Sequence, residues 1–178
     1  MTCIRGADFP ALNANKILNA PTRYILEKNI GKYLKAGDLI VEISGGSPTQ
    51  STGRICYINK ITLQRFDEEI ITSNFCRAFS TKASYQQYWF YILWQSLYDA
   101  GVLFGYEGKT TGIKNFLFDI FCAQYKIVIP NDKVIQSFHI IVKPIFEKIQ
   151  KYNIENEELT KLRDWLLPML MNGQARVE

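Results

Sequence analysis

The stretch "GDLIVEISGGSPTQSTGRICYI", residues 37–58, determines the predicted architecture of the first half of the chain. Its β-branched run "LIVEI" and its alternating run "RICYI" predict two strands. Between them lies the first loop, residues 44–54, which is rich in glycine, hydroxyl and amide side chains and contains no acid. Such a loop can cradle a phosphate, cover a catalytic site or enter a DNA groove, and the rest of the sequence decides between these alternatives.

The spacing of the first loop argues against a phosphate-binding loop of the nucleotide-hydrolase type. Gly46 and Gly53 enclose six residues rather than four, and Arg54 stands where Lys followed by Ser or Thr is required. A strand-like run follows, so no helix N-terminus is available to hold a phosphate. The chain also lacks G-x-G-x-x-G, G-x-S-x-G and Asn-Pro-Pro-aromatic motifs, and its single histidine, His139, lies in an apolar stretch where a core position is expected. We therefore expect no catalytic residue.

Composition predicts a globular protein of ordinary kind. The 178 residues are 47% hydrophobic and 21% charged, no apolar run reaches the length of a membrane span, and the N-terminus has no secretion signal, so we expect a cytoplasmic location. The four cysteines form no C-x-x-C pair, which predicts buried free thiols rather than a metal site. The net charge of +4 suits a polyanionic partner, although a solvated basic face would account for it equally well.

The order of elements predicts an α+β fold, with a compact mixed domain of small irregular sheets and a buried helix. A third strand region lies in "EEIITSNFCRAFST", residues 68–81, and a further strand is predicted in "YKIVIP", which ends at Pro130. Ser84 and Gln87 predict a capping box at the start of a helix that runs to Gly101. Because this helix is apolar on nearly every face, we expect it in the core rather than as a platform for stacked bases.

From about Asp132 the apolar spacing alternates between three and four, which predicts a long C-terminal helix with a coiled-coil stripe. Bends are expected at Pro144 and Pro168, and Asn172-Gly173 should end the helix. A helix this long needs a partner helix for its stripe. Asn156 is either a register device or a solvent-facing residue. The predicted dimerisation residues are Phe138, Ile141, Ile145, Ile149, Tyr152, Asn156, Leu159, Leu162 and Leu166.

Two loops carry the side chains that suit DNA recognition: the first loop and a second Gly-rich, basic loop at residues 105–115. Hydroxyl, amide and cationic groups contact base edges and phosphates, and glycine permits close approach of the backbone. Arg54 would pair with guanine and Gln50 with adenine. The plain alternative is that both loops are surface turns. The predicted DNA-contact residues are Ser44, Gly45, Gly46, Ser47, Thr49, Gln50, Ser51, Thr52, Arg54, Tyr106, Lys109, Thr110, Thr111, Lys114 and Asn115.

Several of these stretches resemble the specificity subunits of type I restriction-modification systems. The segments are "IRGADF" (4–9), "PTRYI" (21–25), the 37–58 block, "ITSNFCRAF" (71–79), "TTGIKNF" (110–116) and the tail "NEELTKLRDWLLPMLMNGQARV" (156–177). The resemblance extends over essentially the whole chain. The most specific parts are the 37–58 block and the tail at 159–173.

The resemblance implies half of such a subunit: a target recognition domain at 1–136, a conserved helix at 137–172 for dimerisation and spacing, and a tail at 173–178. Family members usually hold two recognition domains, each of which reads half of a split DNA site, joined by two helices that pair antiparallel. Methyltransferase subunits dock on them and bring S-adenosylmethionine, and a restriction-translocase subunit completes the complex. The resemblance thus implies a non-catalytic chain without its own cofactor, with double-stranded DNA as a partner.

Two hypotheses about the chain follow. In the first, it reads DNA as a symmetric homodimer formed through residues 137–171, or paired with another specificity half-subunit, and an inverted repeat is the expected target. In the second, it is a protein-interaction module that pairs with a specificity subunit and has no productive DNA binding of its own. An enzyme is a distant third.

Overall fold

A computed structural model of the chain describes residues 1–13, 18–47, 49–110 and 112–174. It confirms the α+β class, with small sheets, short helices and one long C-terminal helix. The strands are β1 Thr2–Ile4, β2 Leu39–Glu42, β3 Ser44–Gly45, β4 Ile55–Tyr57, β5 Ile70–Thr72, β6 Cys76–Phe79, β7 Glu107–Thr110 and β8 Ile113–Phe116. The α-helices are α1 Phe9–Asn13, α2 Lys60–Leu63, α3 Gln87–Asp99, α4 Phe118–Gln124 and α5 Asp132–Met171.

The strand β2 is the centre of the main antiparallel sheet, whose order is β4-β2-β6. All four residues of β2 are buried, which explains why "LIVE" reads as a continuous apolar run with a single acid at its end. In the register, Ile40 lies opposite Cys56 on one side and Ala78 on the other. Two smaller sheets flank this one: a parallel pair of β1 and β5, and an antiparallel sheet of order β3-β8-β7. The strands expected at 37–58 and 68–81 are therefore present.

Helix α3 packs aromatic rings against the main sheet, as its apolar sequence predicts. Tyr88, Tyr91 and Trp94 are buried, and the Trp94 ring lies 5.2 Å from that of Phe121. The helix start differs from the predicted capping box: a 3-10 turn occupies Ser84–Gln86, and the Gln86 side chain accepts a hydrogen bond from the Ala83 amide. The chain leaves the helix at Gly101, whose φ of 74° favours glycine there.

Helix α5 has 40 residues and runs without interruption through Pro144 and Pro168. At 1.5 Å per residue it is roughly 60 Å long. Its first half packs on α3: the Phe146 ring lies 5.0 Å from that of Tyr88 and 5.5 Å from that of Tyr91. Although α5 is long, no helix in the described ranges is apolar enough over its length to cross a membrane.

Farther along, α5 is fastened to the body by polar contacts. The Gln150 amide donates to the Leu12 carbonyl at 2.9 Å, and Glu157 accepts from Arg65 at 2.6 Å. The backbone amide of Leu18 donates to the same carboxylate at 3.1 Å. Beyond Glu157 most side chains of α5 are exposed. The packed face of α5 therefore covers about two thirds of the helix.

The structure corrects two sequence predictions and shows where His139 lies. No strand forms in "YKIVIP": Val128 is 90% exposed and Ile129 63%, and a β-branched run without a neighbouring strand has nothing to pair with. Of the four thiols expected to be buried, Cys56 and Cys76 are buried, but Cys3 is half-buried and Cys122 is exposed. His139 lies against Tyr88 with 5.3 Å between ring centres, and partial burial lowers its pKa.

We expect Phe146→Ala to lower the free energy of unfolding by about 2–3 kcal/mol, less than for a fully buried ring, because it removes a half-buried side chain from between Tyr88 and Tyr91. Urea titration followed by circular dichroism measures the change. The matched control is Lys151→Ala on the exposed side of α5, which should change the free energy by less than about 0.5 kcal/mol. Equal effects of the two substitutions would contradict the packing described here.

Candidate nucleic-acid interface

The pairing of β3 with β8 brings the first and second loops into one surface. Ser44 lies opposite Asn115 and Gly45 opposite Lys114 in this antiparallel pair. The Ser44 hydroxyl donates to Asn115 Oδ1 at 2.6 Å. Two loops that lie roughly sixty residues apart in the chain therefore form a continuous edge, although no local sequence pattern indicates that these strands pair.

The first loop is closed at its base by Glu42 and Arg54. Their main chains are joined by a hydrogen bond from the Glu42 amide to the Arg54 carbonyl at 2.9 Å. Their side chains form a bidentate ion pair, in which Arg54 Nε donates to Oε2 and Nη2 donates to Oε1, both at 2.8 Å. The Glu42 side chain is only 9% exposed and that of Arg54 17%. The hydrogen bonds from Arg54 to Glu42 raise the pKa of the arginine, so its guanidinium remains charged.

This ion pair bears directly on the predicted contact of Arg54 with guanine. The guanidinium edge formed by Nε and Nη2 is engaged by Glu42, and the cation lies 5.8 Å from the centre of the Phe9 ring. Arg54 therefore holds the loop closed through this edge, and its contact with a base stays a prediction.

Gly6 completes the same cluster and was not recognised from the sequence as part of a site. A Cβ atom at Gly6 would overlap the Glu42 carboxylate, so this position accepts only glycine without rearrangement. The neighbouring Arg5 and Asp8 form their own ion pair at 2.9 Å. A signal was present in the sequence: an acid that ends a continuous apolar strand is buried, and a buried acid needs a cationic partner.

The returning limb of the first loop is fixed from behind by α3. Trp94 Nε1 donates to the Gly53 carbonyl at 2.7 Å, and the Tyr98 hydroxyl donates to the Ser51 carbonyl at 2.9 Å. Burial raises the pKa of Tyr98, so this hydroxyl keeps its proton at neutral pH. Gly53 has a φ of 93°, and a Cβ there would come within 2.9 Å of Leu103. The limb is therefore held in a conformation that does not depend on a ligand.

Glu107 fixes the same limb from the side of the second loop. Its Oε1 accepts from the Thr52 amide at 2.6 Å and from the Thr52 hydroxyl at 3.0 Å, and its Oε2 lies 4.0 Å from Lys114 Nζ. Thr52 is only 1% exposed. Lys114 also donates to the Gln50 carbonyl at 3.3 Å. Of the predicted contact residues, Thr52 is thus inside the fold, where it joins the two loops.

The remaining predicted contact residues divide by exposure. Gly46, Thr49 and Gln50 are exposed at the tip of the first loop, and Ser47, whose hydroxyl accepts from the Gln50 amide at 3.1 Å, is half-buried. Tyr106 turns inward and packs on Phe121, with 5.0 Å between ring centres. Lys109 and Thr110 are described by their backbone in β7, and Thr111 lies outside the described residues.

The predicted dimerisation residues of α5 also differ in exposure. Phe138 turns towards the body and packs with Val142 and Phe146 against the aromatic core. Asn156 and Leu166 are half-buried. The other members form an exposed apolar stripe, turned about a third of the way around the helix from the packed face. This stripe consists of Ile141, Ile145, Ile149, Tyr152, Leu159 and Leu162, which are 40–65% exposed.

We expect Arg54→Met to lower the free energy of unfolding by about 3 kcal/mol, because it leaves the carboxylate of Glu42 buried without a partner. The double substitution Glu42→Leu with Arg54→Met should recover most of that loss, since it removes both charges at similar volume. Urea unfolding of the four members of this double-mutant cycle measures the coupling. Additive effects of the two single substitutions would contradict the role given to the pair.

Comparison with known proteins yields a partial match. No protein-family model matches the chain. Over 52 residues, 29% of the chain, it is 46% identical to the specificity subunit of the type I restriction enzyme MjaIX of Methanocaldococcus jannaschii. Over a stretch of the same length it is 42% identical to the HindI specificity subunit of Haemophilus influenzae. The matches span 12% and 11% of the length of these relatives. The resemblance to type I restriction specificity subunits is thus confirmed over 52 residues.

Proposed function

We propose that the chain is a non-catalytic DNA-recognition subunit of a type I restriction-modification system. The observation that carries this proposal is the joining of the first and second loops into one surface through β3 and β8. The tip of the first loop exposes glycine, hydroxyl and amide groups. Glu42, Arg54 and α3 hold the residues below this tip in a rigid arrangement. Because the loop is ordered before DNA binds, its contact groups are positioned without the entropic cost of ordering the loop on binding. The similarity to two specificity subunits supports the same assignment.

In this proposal the surface reads one half of a split site. Gln50, at the exposed tip, is the leading candidate for a contact with adenine, because its side chain belongs to the exposed part of the loop. Lys114 and Asn115 supply polar groups beside it, from the second loop. Methylation is carried out by methyltransferase subunits that dock on this chain and hold S-adenosylmethionine, and a restriction-translocase subunit completes the assembly.

The apolar stripe of α5 supports the assembly part of the proposal. Its six members leave large apolar side chains in water along several turns, which a monomeric protein rarely does. Their three-four spacing suits a partner helix rather than a flat surface. We assign the stripe to pairing with a second copy of the chain or with another specificity half-subunit. A symmetric pair would present two identical reading surfaces, which suits an inverted repeat.

The same stripe favours a second candidate function. An interaction module that pairs through α5 and does not bind DNA would need the stripe but not the loops. Dependence of binding on salt separates the two candidates, because contacts with DNA phosphates release counterions and a protein–protein contact through apolar residues does not.

We expect the purified chain to enrich one short motif from a pool of randomised DNA duplexes. Gln50→Ala should relax the preference at one position by about 1–3 kcal/mol, because one bidentate contact with a base is lost. The matched control is Gln95→Ala on α3, a half-buried glutamine whose side chain donates to the Tyr91 hydroxyl outside the loop tip. It should leave the motif unchanged. Selection followed by sequencing measures the preference. A motif that is identical with and without Gln50 would contradict the assignment of this side chain.

We expect light scattering at micromolar concentration to give twice the mass of one chain. Ile145→Asp with Leu159→Asp should reduce the mass to that of a monomer, because each charge would be buried between apolar side chains of the two helices. The control is Lys151→Asp with Lys161→Asp, two exposed positions outside the apolar stripe. A single-chain mass for the unaltered protein would refute self-pairing and leave pairing with another specificity half-subunit.

A further inference from the structure

A groove of about 850 Å³ opens beside the first loop, on a part of the surface that no predicted contact residue occupies. One wall is the segment 23–34, and the other is the turn between β5 and β6 with the start of β6. The first wall is anchored at both ends, because the Arg23 amide donates to the Met1 carbonyl and the Leu34 amide to the Ile70 carbonyl, both at 2.9 Å. The second wall is anchored by the Ser73 amide, which donates to the Ile4 carbonyl at 2.8 Å. The groove is therefore a built feature of the fold rather than a gap between loose segments.

The groove adjoins the proposed reading surface directly. The backbone amides of Ile43 and Ser44 both donate to the Phe75 carbonyl, at 2.8 and 3.2 Å. Phe75 lines the groove and Ser44 is the first residue of the first loop. A duplex whose bases meet the loop tip would thus continue past Phe75 towards the segment 23–34.

The charges in the groove suit a phosphate backbone. Arg23 and Lys32 line it, both are exposed, and neither forms an ion pair within the described residues. Arg77, a third lining cation, is engaged by Asp119 at 2.8 Å. The one lining carboxylate, Asp38, already accepts from the Ser80 hydroxyl at 2.6 Å and from the Lys35 amide at 2.7 Å. Among the described residues, two cations without an ion-pair partner therefore line the groove together with a single carboxylate, and cations outnumber anions there.

The rim adds aromatic surface. Tyr24 is fully exposed and Phe75 is 55% exposed. Asn29 and Asn74 also line the groove and provide amide donors for phosphate or sugar oxygens.

We propose that this groove holds the phosphate backbone of the same duplex that the loops read, with Arg23 and Lys32 as the phosphate contacts. The proposal rests on the proposed DNA-recognition function and extends it to a second surface. Phosphate contacts fix the position of a protein on the duplex without reading sequence, so the groove contributes affinity and register while the loop tip contributes preference.

The test measures the affinity of the full chain for a labelled pool of randomised duplexes across a range of salt concentrations. For the unaltered chain, the logarithm of affinity should fall linearly with the logarithm of salt concentration. Arg23→Ala with Lys32→Ala should reduce the magnitude of that slope by about 2, because each phosphate contact contributes about 0.9. The motif enriched by selection should stay the same in this variant.

The matched control is Lys60→Ala with Lys133→Ala, which removes the same charge from two exposed positions that do not line the groove. It should keep the slope of the unaltered chain. A groove variant with the same slope as this control would overturn the groove proposal alone and would point to a protein partner for this surface. An unaltered chain without salt-dependent binding would overturn the proposed function as well. Melting temperatures that match the unaltered chain confirm that both variants fold.

Discussion

The buried ion pair between Glu42 and Arg54 is the constraint on which the arrangement of the loops depends. A carboxylate at the end of the central strand β2 is stable there only with a cation beside it, and the planar guanidinium satisfies both of its oxygens at once. Because Gly6 leaves room for the carboxylate, the N-terminal segment is fixed to the same point. One interaction thus ties together the chain start, the central strand and the exit of the first loop, and the loop tip is presented on this base.

Residues of the first loop that were all predicted to contact DNA have two different roles in the structure. Thr52 and Arg54 hold the returning limb through Glu107 and Glu42, whereas the tip around Thr49 and Gln50 is exposed. A tip that is free to vary on a fixed limb can change its side chains without loss of the fold. For the same reason, α5 can carry a packed face and an apolar stripe, since each occupies its own sector of the helix.

The sequence predicted those elements whose signal is local. The runs in 37–58, the apolar helix α3 and the extent of α5 follow from periodicity and from glycine at the helix end. The two-residue pairing of β3 with β8 has no local signal, because register between distant segments is set by the whole fold. The prediction of a strand in "YKIVIP" was wrong for the opposite reason: the strand propensity is present in the sequence, but the segment forms no strand pairing. The ion pair of Arg54 could not be predicted without knowing that the buried Glu42 carboxylate lies within hydrogen-bond distance of the guanidinium.

The way α5 is fastened gives the helix a graded resistance to local opening. Near Phe146 it is held by rings, while at Gln150 and Glu157 it is held by hydrogen bonds. Gln150 Oε1 and the buried Asn153 Nδ2 have no partner in the part of the chain that the structure describes. Past Glu157 it has little contact with the body. Backbone amides should therefore exchange with solvent slowly near Phe146 and progressively faster towards Met171. In a single chain, the C-terminal third of the helix would be the first segment to fray.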